Sequence, residues 1–167
     1  MLIHELLRYA DWSRDVLRST LEANPDVWDR EFETLSGFKS VRALVTHMAG
    51  AEERWSAGLL NLPRPDPTFE ERAGGSMPEV FAGWDLFRSR TREFVTNAGP
   101  EKLSEVLHIA PPRFRFETHK SVEQVLHHLF NHQTYHLGQV SMAMQRFDID
   151  PPFFDVILMP SQPGDKS

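Results

Sequence analysis

Four stretches of the chain repeat their apolar residues at a spacing of 3.6, and each runs for several helical turns. A helix with such a stripe must bury it, so the pattern commits the chain to helices packed on helices. The first stretch, about Leu2 to Ala23, aligns Ile3, Leu6, Leu7, Ala10, Leu17 and Leu21. Asn24-Pro25 then reads as the N-cap and first position of a short turn through Trp28. Ser40 caps the second helix, which runs to about Leu60 with Val41, Leu44, Val45, Met48, Trp55 and Leu59 as its stripe. A link from Leu62 to Ser76 carries Pro63, Pro65, Pro67 and Gly74-Gly75 and reads as a loop. Ser76-Met77-Pro78-Glu79 is a capping-box sequence opening a third helix to about Ala98, where Gly99-Pro100 stops it. Val80, Trp84, Phe87, Phe94, Val95 and Ala98 form its inward face. From Val106 to His119 the pattern changes to short alternation around Pro111-Pro112, including Phe114-Arg115-Phe116-Glu117, which predicts two short strands or an extended loop. Ser121-Val122-Glu123-Gln124 is a second capping box, and the fourth helix continues to about Phe147. The expected fold is an all-α four-helix bundle, one domain over residues 1–167. Its links are long enough to leave the order of the helices open.

Composition narrows the chemistry. With no Cys there is no disulfide scaffold, no thiolate nucleophile and no Cys-ligated zinc or iron–sulfur site. A formal charge of −6 disfavours a nucleic-acid surface. No apolar run approaches the roughly 20 residues of a membrane span. The start, with His4, Glu5 and Asp11, lacks the basic and apolar regions of a secretory signal, so a cytoplasmic location is expected. Neither a Gly-rich phosphate loop nor a Gly-x-Ser-x-Gly elbow occurs.

The eight His are unevenly placed. His132 and His136 stand four apart, which on a helix puts them on one face about 6 Å apart along the axis. Imidazoles at that spacing converge on one metal ion, and they also occur as interface hydrogen-bonding pairs. On a wheel with Val122 at zero the apolar stripe centres near zero, His136 falls at about 320° and His132 at about 280°. His128, at about 240°, sits at the rim, and His127, at about 140°, faces solvent. On the second helix His47 lies near 240° from Val41, beside the small Gly50 and Ala51. Together the three His make a three-imidazole site the economical reading, with a position left for water or substrate. Zn or Ni is the first expectation, then Fe or Mn. Binding should weaken as pH falls through about 6 to 6.5, because only neutral imidazole ligates. Glu52 points inward and is either a general base, a partner to a ligand, or half of a salt bridge across the bundle. Gln139 and Tyr135 lie where they can orient a ligand or substrate. A di-iron site would need a Glu-x-x-His from each of two helices, and the one such spacing, Glu105 to His108, falls in the irregular segment.

Asn131-His132-Gln133-Thr134-Tyr135-His136-Leu137-Gly138-Gln139 resembles the Asn-His-x-x-x-His-Arg-Gly-Gln of the DinB/YfiT-like metalloenzymes. His47 followed by Glu52 and Trp55, and Tyr9-Ala-Asp-Trp12 in the first helix, extend the resemblance over nearly the whole chain. The resemblance implies an up-down-down-up bundle with His47, His132 and His136 as metal ligands, and frequent dimers. It also implies chemistry with small thiols such as bacillithiol or mycothiol: S-transfer or isomerisation. Leu137 stands in place of the usual Arg, and Arg14 where the first helix often has Asn. The expected function is therefore that of a metal-dependent S-transferase joining a small thiol to an electrophile. A metal-dependent hydrolase and a non-catalytic metal-binding dimer are the alternatives. A homodimer is also expected from large apolar residues outside the four stripes: Phe153, Phe154, Ile157 and Leu158.

Overall fold

Serine caps set the start of three of the long helices. A computed structural model describes residues 3–33, 37–110 and 117–161. In it α1 spans Ile3–Ala23, α2 Val41–Leu59, α3 Phe69–Arg72, α4 Met77–Asn97, α5 Pro100–Ser104 and α6 Val122–Gln145. The Ser40 hydroxyl accepts from the Ala43 N–H at the start of α2. Ser76 and Ser121 form capping boxes with Glu79 and Gln124, satisfying N–H groups that a helix start leaves unpaired. After α1, Pro25–Val27 makes a single 3-10 turn; the Asn24 side chain bonds back to the Thr20 carbonyl rather than capping that turn.

Two short strands precede α6: β1, Val106–Ile109, and β2, Thr118–Ser121, paired antiparallel with His108 opposite His119. Pro111-Pro112 and Phe114-Arg115-Phe116 lie outside the described residues, as does Leu2. Two helices were not expected. The Leu62–Ser76 link contains α3, whose start is held by the Glu71 carboxylate accepting from the Thr68 N–H at 2.7 Å. Gly99-Pro100 ends α4 but also begins α5, with Pro100 in its first turn.

The side-chain contacts give the helix directions. Early α2 residues Val41, Leu44 and Val45 pack with early α4 residues Val80, Phe81 and Trp84, while Leu59 and Val95, late in each, share a second cluster. So α2 and α4 run parallel. On α1, Ile3 and Leu7 join Val125, Leu126 and Leu129 of α6, and Leu17 and Leu21 join Leu137, Val140 and Met144. So α1 and α6 run parallel. Asp11 meets Arg88 and Arg92 while Arg18 meets Asp85, so α1 opposes α4. The bundle is up-down-down-up.

Between the two apolar clusters lies a buried polar layer. Arg88, 1% exposed, donates to both oxygens of Glu52 at 2.6 and 2.8 Å, to Asp11 at 2.9 Å and to the Gln133 side-chain carbonyl at 2.6 Å. Gln133 in turn donates to the Ala10 carbonyl and the Ser13 hydroxyl. All four long helices are thus tied at one level. Burial opposes the charge on Arg88, but Glu52 and Asp11 outweigh it and hold the guanidinium pKa above its usual value.

Candidate metal centre

His47 lies on α2, and His132 and His136 lie one turn apart on the facing side of α6. The two helices run antiparallel, so the same seam brings Trp55 of α2 against His128 of α6, ring centroids 5.2 Å apart. Nε2 of His132 stands 3.3 Å from Nε2 of His47 and 3.1 Å from Nε2 of His136. Of the described residues, these three form a group whose ligand atoms all lie within 4.8 Å of one another.

The far nitrogens decide which way the lone pairs point. Nδ1 of His47 faces a Glu70 carboxylate oxygen at 3.2 Å. Burial raises the Glu70 pKa, but hydrogen bonds from His47 and Arg54 prevail and bring it down to about 2. An ionised carboxylate only accepts, so Nδ1 of His47 carries a hydrogen, and in the neutral form of the ring Nε2 then presents a lone pair. Nδ1 of His136 faces the Gln139 side-chain carbonyl at 2.6 Å, while the Gln139 amide nitrogen faces the Tyr135 hydroxyl at 3.5 Å. By the same reasoning, Nε2 of His136 is also a lone pair. Both aim at Nε2 of His132, which has at most one hydrogen to give when neutral. At least one contact therefore sets lone pair against lone pair.

A cation resolves that conflict. Zinc–nitrogen bonds of about 2.0–2.1 Å at tetrahedral angles separate two ligand nitrogens by about 3.3–3.4 Å, close to the observed spacings. The donor set fits a divalent ion. Protonation is not a substitute: burial, then the neighbouring His136 and His47, push His132 down to about 3. Burial also lowers His136, with the Gln139 hydrogen bond opposing, and lowers His128. Phe38 closes one side, its ring 4.8 Å from His47 and 5.5 Å, edge-on, from His136.

Glu52 is the member of the expected set with its oxygens engaged elsewhere. One accepts from Arg88 Nε, the other from Arg88 Nη2 and from Trp84 Nε1 at 2.7 Å, which is the salt bridge across the bundle. His127 is exposed on α6. Leu137, at the position where an Arg is usual, is fully buried in the apolar core. Arg14 is also buried, over Trp84 and beside Asp85.

Three residues at the site were not anticipated: Phe38, Arg54 and Glu70. Arg54 donates to both Glu70 oxygens, at 2.8 and 2.7 Å. The spacing Thr68-Phe69-Glu70-Glu71 is a capping signature that would have placed a helix in the Pro-rich link. It would not have aimed Glu70 at His47, because that approach depends on how the link folds back over α2.

No curated protein matches the chain. The sequence model of the DinB family matches residues 1–165, which is nearly its full length, and the chain belongs to the DinB family.

Proposed function

We propose that His47, His132 and His136 hold one divalent ion, and that the protein is a metal-dependent S-transferase joining a low-molecular-weight thiol to an electrophile. The observation that carries this reading is the convergence of the three Nε2 atoms at 3.1 and 3.3 Å, with His47 and His136 turned by Glu70 and Gln139 to present lone pairs. A bound divalent ion supplies the Lewis acidity that lets a thiol ionise near neutral pH.

The neighbouring carboxylates favour thiol chemistry over hydrolysis. A divalent ion would itself lower the pKa of a bound water toward neutrality, but hydrolysis is further accelerated by a base free to take a proton as water attacks. Glu52 is committed to Arg88 and Trp84, and Glu70 to Arg54 and His47. A thiol, already acidic, gives its proton to solvent. Its sulfur then forms a bond to the electrophilic carbon as the bond to the leaving group breaks. Trp55 and His128 line the seam next to His132 and give the substrate an aromatic wall. We further propose that the protein works as a homodimer.

Turnover of a panel of small thiols against alkyl and aryl electrophiles, with protein loaded with Zn or Ni, tests the activity. Metal-dependent loss of thiol that His132→Ala abolishes is the expected result. Hydrolysis of esters or amides without thiol consumption would establish the hydrolase instead. Metal binding with no turnover of either kind would make the bundle a binding protein.

A further inference from the structure

We propose that Glu70 is a positioning residue for the metal centre, orienting His47 through Nδ1 and adding negative charge behind it, so that the short helix in the Pro-rich link is part of the site. The proposal rests on the three-histidine reading above, and three observations support it. The Glu70 carboxylate stands 3.2 Å from Nδ1 of His47, on the side of the ring away from the two other histidines. Arg54 grips both of its oxygens, which fixes the carboxylate rather than leaving it to rotate. Gly50 supplies the space: a Cβ built there would collide with the Glu70 carboxylate itself. A glycine is unfavourable inside a helix, and unlike Gly58 of the same helix, whose Cβ would meet nothing within 4 Å, Gly50 stands where the Glu70 carboxylate approaches closely.

A carboxylate behind a ligating imidazole fixes its tautomer and raises its basicity, and removing such a partner commonly costs about 10- to 100-fold in metal affinity. His47 is the ligand with most need of it. His132 and His136 come from one helix and His136 is held by Gln139, whereas His47 is the single member from α2 and, like His132, is partly open to solvent.

The test measures Zn and Co(II) affinity by competition with a chelator, together with the visible Co(II) spectrum, for Glu70→Ala, Glu70→Gln and Gly50→Ala, with His132→Ala alongside. Glu70→Ala is expected to weaken both metals about 10- to 100-fold and to change the Co(II) bands. Glu70→Gln keeps an acceptor for Nδ1 and should recover part of the loss. Gly50→Ala retains every polar group and favours the helix, so it should fold, yet it displaces the carboxylate and should lose affinity as Glu70→Ala does. If Glu70→Ala and Gly50→Ala bind both metals within twofold of the parent, with unchanged spectra, Glu70 merely tethers the link and the proposal is wrong. If the parent binds no metal, or His132→Ala binds as the parent does, the three-histidine reading itself fails and this one falls with it.

Discussion

At the scale of single residues, burial disfavours the protonated form of His132, the form that cannot ligate a metal. The unfolded chain takes up a proton at this position near pH 6.5, whereas the folded chain does so only at about 3. The folded-state pKa is depressed, so the associated stability is fully present above the unfolded value and is lost as pH falls toward about 3. In metal-free protein, the stability of the parent relative to His132→Asn should therefore decline steadily as pH drops below about 6.5. Urea denaturation at a series of pH values checks this. A difference independent of pH would mean that His132 is solvated. Burial disfavours the protonated forms of His132 and His136, so proton competition at these two rings sets in below the pH of about 6 to 6.5 expected from the sequence. Their pairing was legible because four residues on one helix is a local relation, and His47 was legible from its position on its own wheel. Phe38 and Glu70 were not, since no periodicity encodes which loop folds over which helix.

At the scale of elements, the caps at Ser40, Ser76 and Ser121 were readable because each acts within three residues. The short helices α3 and α5 were hidden in segments that Pro and Gly made look irregular. The polar layer was harder still. A hydrophobic stripe assigns Arg88 and Gln133 no place in a core, yet both are buried, because each finds a complete set of partners on other helices. Glu52→Ala would leave Arg88 buried without its main counter-charge, and should cost about 3–5 kcal/mol in equilibrium denaturation. Glu52→Ala combined with Arg88→Met should recover most of that loss, since it removes the stranded charge. If Glu52→Ala costs under about 1 kcal/mol, the layer is not holding the helices together.

At the scale of the whole molecule, the up-down-down-up order sets α2 antiparallel to α6, which is what lets one histidine of α2 meet two of α6. None of the helices among the described residues is long and apolar enough to cross a membrane. The C-terminal segment lies along α1, where the Tyr9 hydroxyl donates to the Phe154 carbonyl at 2.6 Å and Arg8 donates to the Pro160 carbonyl at 2.9 Å. Phe154 packs on the core of its own chain, while Phe153 and Ile157 are 74% and 87% exposed. Covering them is the role given to the proposed dimer. Sedimentation at micromolar concentration should show a species of twice the 19.3 kDa chain, and Ile157→Asp should shift it toward monomer. A single species at chain mass in the parent would remove the dimer from the account.

The central claim is that histidines from two helices share one ion, and His47→Ala tests it most directly. Titration of metal-free parent with Zn should show one strong site per chain, and His47→Ala should lose most of that affinity while His127→Ala keeps it. Zn bound to His47→Ala as tightly as to the parent would contradict the three-histidine centre and the function drawn from it.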